Sequence, residues 1–185
     1  MPSRVNRDGI FISMSQYIFS SDRLLFRQFT LDDALLIHEL NSNELVLKYV
    51  HELPSTPERA ILRLTDSIIP HYQQFGYGRW AVHLKENNDF IGWCGLKFRP
   101  EREETDLGYR YSPSSWGKGY GTEAANACLE YGFKTLQLNR ITAAAHIENI
   151  PSLRILEKVG MQYLREDIID HCPVRCFERT LDHRP

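Results

Sequence analysis

The sequence predicts a single α/β (α+β) domain, a mixed and mostly antiparallel sheet flanked by about four helices. Strand-period and helix-period segments follow one another in the order β-α-α-β-β-β-α-β-α-β-β, with no internal repeat or low-complexity linker. A short turn separates the second strand from the third, which makes that pair an antiparallel hairpin. Ile141 to Ala145 is short and almost wholly apolar, as a buried central strand is.

Taken in order, Arg23 to Phe29 is the first strand. Thr30 offers a helix N-cap, with Asp32 and Asp33 at the positive end of a helix over about Leu31 to Asn41. Leu31, Leu35, Leu36 and Leu40 recur at helical spacing as its apolar stripe. The stretch to Leu53 carries no clear signal. Thr56-Pro57-Glu58 starts the next helix, and Pro70 should bend or interrupt the stripe Ile61, Leu64, Ile68, Tyr72, Phe75. From Gly78 the period becomes two: a strand to Leu84, a turn at 86–89, a strand from Phe90 to Phe98, a charged turn, and a strand from Thr105 to Tyr111. Helical spacing returns from Gly121 to Leu136. A helix from Ile150 to Lys158 stops at Gly160, and strands at about 161–168 and 174–181 close the order. Residues 1–21 are expected to be an N-terminal extension and 22–182 the domain.

A chain of 185 residues with 42% hydrophobic and 25% charged residues can bury a real core. Its net charge of −2 argues against a nucleic-acid partner. No apolar run approaches the roughly 20 residues that a membrane span needs. The segment Ile10-Phe11-Ile12 is broken by Ser13, Ser15 and Gln16, unlike a signal peptide. Cys172 and Cys176 beside His171 form half a metal site at most, with no second pair to complete it, so no metal is expected. Free thiols in a cytoplasmic protein, monomer or homodimer, are the expectation.

The most informative stretch runs from Asp106 through Trp116-Gly117-Lys118-Gly119-Tyr120-Gly121-Thr122 into a helix. A helix start offers unpaired N–H groups and a positive dipole end, and glycines let an anion approach that backbone closely. The spacing fits neither a Walker A loop nor the dinucleotide fingerprint, which disfavours a nucleotide-binding oxidoreductase. A glycine turn that merely caps a helix is the plain alternative. After the Ile141 strand, Asn149 can cap a helix, Pro151 fits its first turn and Gly160 ends it.

Together these stretches resemble the GNAT superfamily of N-acetyltransferases, and most closely the branch with the ribosomal-protein N-terminal acetyltransferases. Gly108-Tyr109, then Trp116 to Ala124, then Asn149 with Ser152, Glu157, Lys158 and Gly160 match that branch; Met161 stands where phenylalanine is usual. The resemblance implies that the strand from Thr105 to Tyr111 and the Ile141 strand splay apart around the arm of acetyl-CoA. Main-chain groups near Tyr109, Arg110 and Tyr111 would bind the arm, Asn149 would reach it, and the turn from Trp116 to Thr122 would take the pyrophosphate. It also implies direct attack of an amine, on a protein N-terminus or a small molecule, on the thioester. The tyrosine acid of many members is replaced here by Leu156, which leaves Ser152 as the candidate acid, though a hydroxyl there also serves as a local cap. Asp106, with neighbouring Glu104, and His146 are candidate bases, each with a structural alternative; His83 is weaker. A non-catalytic CoA-binding sensor is the competing function.

Overall fold

The computed structural model describes residues 17–50 and 52–181. One eight-stranded sheet runs through it in the order β1-β2-β3-β4-β5-β6-β8-β7. The strands are β1 Tyr17–Ser20, β2 Leu24–Arg27, β3 Arg79–Leu84, β4 Phe90–Arg99, β5 Glu104–Tyr111, β6 Arg140–His146, β7 Gln162–Ile169 and β8 Cys172–Thr180. All neighbours pair antiparallel except β5 and β6, which run parallel. β1 is absent from the expected order. It lies inside the segment expected to be an extension, and it pairs with β2, so the sheet starts before residue 22.

The helices are α1 Ala34–Ser42, α2 Glu44–Leu47, α3 Pro57–Arg63, α4 Ile69–Phe75, α5 Tyr120–Lys134 and α6 Ile150–Lys158. Two differ instructively from expectation. The first turn, Leu31–Asp33, is a 3-10 turn closed by Thr30 and Asp33 in a capping box. Asp33 turns inward to hold Arg27 through two bonds of 2.7 and 2.8 Å. The tighter turn changes the phase, so Leu31 and Leu35 face solvent while Ile37 and Leu40 enter the core. At Pro70 the helix neither ends nor simply bends. A π turn over Leu64–Ile68 joins α3 to α4 and takes up the missing N–H of the proline. The single turn of α2 occupies the stretch that the sequence leaves unassigned.

The core is two layers. Trp80, Val82, Cys94, Leu96 and Leu107 pack one sheet face against Ala124, Cys128 and Leu129 of α5 and Leu153 and Leu156 of α6. Phe29, Ile37, Ala60, Leu64 and Ala81 fill the opposite side under α1 and α3. The sheet's middle thus lies between helices on both faces. Its one weak seam is the junction of β5 with β6.

Candidate active site

Beyond Tyr111 the chain makes a 3-10 turn, Pro113–Ser115, and reaches α5 through Gly119, a left-handed N-cap at φ +81°. The Trp116 amide donates to Pro113 O at 3.1 Å, and its indole Nε1 donates to Tyr111 O at 2.9 Å. Trp116 therefore fastens the turn to β5; its amide is not one of the anion donors that the sequence suggests. Glu123 N–H closes the first helical bond, onto Gly119 O. Among the described residues, the amides of Gly117, Lys118, Gly119, Tyr120, Gly121 and Thr122 donate to no protein acceptor outside that helix. A run of open amides at the positive end of a fifteen-residue helix suits a diphosphate.

Arg23 holds this turn in place, and sequence reasoning missed it. Its Nη1 donates to Lys118 O at 3.1 Å and its Nε to Glu123 Oε2 at 2.6 Å, while the guanidinium lies over the Tyr120 ring. Ser21 Oγ donates to the other Glu123 oxygen at 2.6 Å. No sequence pattern links Arg23 to a glutamate so far along the chain. Only the pairing of β2 into the sheet brings them together.

β5 and β6 share a single register pair, Asp106 with Thr142. Below it Thr142 Oγ1 donates to Thr105 O at 3.4 Å and Arg140 meets Glu104 at 3.6 Å. Above it the ladder stops. Residues of an antiparallel strand alternate between bonding their partner and turning away. Ser112 N–H bonds Ile91 O on the β4 side, so Arg110 also faces β4, while Tyr109 and Tyr111 turn their peptide groups toward β6. Tyr111 O is taken by Trp116, which leaves Tyr109 and the Tyr111 N–H facing the gap. The Arg110 main chain, expected to line the gap, points away from it; its side chain enters the cleft instead. The cleft measures ≈ 670 Å³, and Asp106, Tyr109, Arg110, His146, Asn149 and Ser152 all line it. Tyr111 and the turn from Trp116 to Thr122 lie outside its lining.

The candidate acid and bases sit in distinct surroundings. Asn149 caps α6 by accepting from Ser152 N–H at 3.3 Å. Ser152 Oγ lies 2.9 Å from the Tyr109 hydroxyl, which also donates to Ser152 O at 3.1 Å. Burial pushes the Tyr109 phenol above its usual range, so it stays protonated. Leu156, further along α6, is buried. Asp106 is a poor proton acceptor: Arg79 at 2.5 Å and Arg99 at 2.8 Å outweigh the burial that would raise its pKa, and hold its carboxyl below the usual range. Glu104 is likewise paired, with Arg102 at 3.5 Å as well as Arg140. His146 Nδ1 accepts from Glu148 N–H at 3.2 Å, so the neutral ring carries its proton on Nε2. Burial pushes the pKa of His83 down, and its Nδ1 meets Asn88 O at 2.9 Å, a structural role.

Two further groups reach the cleft without a sequence signal. Glu52 Oε2 accepts from Arg63 at 3.1 Å and from Arg110 at 3.0 Å, and Arg110 also bonds the buried Asn41. Lys97, on β4 opposite Asp106, enters the same space.

Comparison with known proteins fits this geometry. Residues 23–162 match the family model described as an acetyltransferase (GNAT) domain. An uncharacterized N-acetyltransferase of Bacillus subtilis, YnaD, is 34% identical over 154 residues, covering 83% of this chain and 86% of that protein. The structure of a GNAT-family acetyltransferase from Bacillus anthracis superposes with a TM-score of 0.76 at 29% identity, over 87% of this chain and 96% of its own. The fold is also that of RimL, a ribosomal alpha-N-protein acetyltransferase in complex with coenzyme A (TM-score 0.76, 15% identity, 91% and 99% coverage). Among the described residues, no helix is long and apolar enough to cross a membrane.

Proposed function

The chain belongs to the GNAT family of acetyltransferases and is an acyltransferase, and on that premise we propose that it moves an acetyl group from acetyl-CoA to the α-amine of a peptide or small molecule. The observation that carries this reading is the conjunction of open amides from Gly117 to Thr122 with a parted β5–β6 seam beside them. A pyrophosphate fits the first and an extended amide-bearing arm fits the second, bonding Tyr109 as an added strand would. Coenzyme A supplies the activated thioester; the rest of the chemistry belongs to the chain.

Tyr109 N–H, facing the gap, is the donor for the thioester oxygen as it gains charge. Ser152 Oγ gives its proton to the departing thiolate and regains one from the amine nitrogen of the tetrahedral intermediate, so the proton lost by the amine ends on the coenzyme A thiol. Tyr109 acts through Ser152: its neutral phenol fixes the serine hydroxyl at the mouth of the seam. Asn149 holds the first turn of α6 that carries Ser152. Asp106 and His146 are both engaged with other groups, so an acceptor that is partly neutral on its own is favoured. An α-amine, with a pKa of about 7.7–8.0, has a far larger neutral fraction at pH 7 than an alkylamine near 10.4. That difference favours α-amines over side-chain amines and polyamines. The sensor reading predicts coenzyme A binding without turnover. Acetyl-CoA consumption is therefore measured against peptides with free N-termini, amino acids and polyamines: coenzyme A release with α-amines supports the enzyme. Tight binding with no release to any amine overturns it.

A further inference from the structure

The chain as a whole carries 24 acidic and 22 basic residues. Its cleft reverses that balance, with twice as many Lys and Arg as Asp and Glu along the wall. The reversal has structure. Asp106 is shared by Arg79 and Arg99, and Glu52 by Arg63 and Arg110, so in each cluster two guanidiniums pair with one carboxylate, with Glu101 and Asp170 acting on Arg99 from further off. Glu104 is also shared, by Arg102 and Arg140, but each of these has a second carboxylate outside the cleft wall, Glu101 and Glu178, so this cluster carries no positive excess. Lys97 adds a further cation next to the Asp106 cluster. It forms no ion pair among the described residues, and its ammonium donates a long bond of 3.5 Å to Ser67 Oγ. Burial, then the neighbouring Arg99 and Arg79, push its ammonium below the usual lysine range, outweighing the attraction of Asp106. Arg79, Arg99 and Lys97 thus set three cations around one carboxylate, Asp106.

We propose that the acceptor is an acidic peptide N-terminus, whose amine reaches the Tyr109–Ser152 seam while a carboxylate side chain docks on Lys97. Lys97 lies opposite Asp106, three residues along β5 from Tyr109, which is about 10 Å at strand rise. In an extended peptide that span separates the terminal amine from an Asp or Glu side chain at the second or third residue. A free α-amino acid holds its carboxylate next to its own amine and so fits that main-chain spacing less well than an acidic side chain further along a peptide. A polyamine brings further positive charge into a wall that already has an excess, and is repelled. This inference rests on the acetyl-transfer reading and adds the chemistry of its acceptor.

The test is coenzyme A release by the full chain with three tripeptide amides, Ser-Ala-Asp, Ser-Ala-Ala and Ser-Ala-Lys, beside free serine and spermidine. The expected order of kcat/KM is aspartyl above alanyl above lysyl, about tenfold per step at low salt and compressed as ionic strength rises. Lys97→Met should bring the aspartyl peptide down to the alanyl one while the alanyl rate holds, and Lys97→Arg should restore the preference. A lysyl peptide or spermidine that equals the aspartyl peptide overturns the proposal, as does a preference that survives Lys97→Met. Free serine as good as the aspartyl peptide overturns it too, by placing the carboxylate beside the amine. No release to any amine, with acetyl-CoA still raising the melting temperature, removes the acetyl-transfer reading itself.

Discussion

At the scale of single residues, close approach decides which positions tolerate change. Gly92 sits at φ +141°, and a Cβ there would come within 2.1 Å of Arg110 O on β5. Two backbones cannot part without breaking the β4–β5 ladder, so Gly92→Ala should cost about 3 kcal/mol or more, a fall of roughly 6–12 °C in thermal unfolding. Gly121→Ala meets only the tip of Ile155 at 2.8 Å, which can rotate, and should unfold near the parent temperature. Equal losses in both variants would remove the distinction. Ser152→Ala should lower kcat about tenfold with the KM for acetyl-CoA unchanged, because a thiolate leaving group with a pKa of about 8.5 needs only modest help. Tyr109→Phe should fall part of the way, since it positions the serine; a rise in KM with kcat intact would place Tyr109 in binding alone. The glycine turn at the start of α5 and the Asn149 cap of α6 were legible in the sequence because they depend on neighbours a few residues away, whereas the acid role of Ser152 was implied only by the family resemblance. Arg23, Glu52 and Lys97 were not, because their partners come from other strands and helices.

Elements were legible where local pattern sets them and less so where packing does. The caps at Thr56 and Asn149 and the period-two strands stand as the sequence suggests. The phase of α1 did not, because the inward pull of Arg27 on Asp33 is tertiary. The π turn before Pro70 places His71 between α4 and β4, where its Nδ1 meets Tyr77 O at 2.7 Å and its Nε2 accepts from Phe98 N–H at 3.1 Å. Both ring atoms are satisfied only in the neutral tautomer that donates from Nδ1. Burial, joined by Lys97 and Arg79, keeps its pKa below 6.5. The folded state therefore binds a proton less readily than the unfolded chain. Stability from this residue is full above the unfolded pKa of about 6.5 and is lost as pH falls through the folded one. Melting temperature should decline from pH 7.5 to 5.5, and His71→Gln, which can donate and accept but cannot titrate, should flatten that part of the curve. An unchanged slope in the variant would assign the decline to other groups.

Across the whole molecule, the sheet is two well-paired blocks, β1 to β5 and β6 with β8 and β7, joined by one ladder pair and a few contacts below it. The element order was readable from the sequence. The opening of this seam was implied only by the family resemblance, because strand separation leaves no periodic trace. Helices α5 and α6 bridge the blocks from one side, so the gap is held open by packing rather than closed by hydrogen bonds. A ligand that bonds Tyr109 on one wall and caps α5 at the other end should therefore act as a missing strand for the whole sheet. Acetyl-CoA at a hundred times its Kd should add about 2.7 kcal/mol, and raise the melting temperature by roughly 5–10 °C in a chain of this size. Hydrogen exchange should slow at Tyr109 and from Gly117 to Thr122, the amides that lack protein acceptors, and change little in the β7–β8 hairpin. A melting temperature unmoved by acetyl-CoA, or protection confined to that hairpin, would mean that the seam is not where the thioester arm lies.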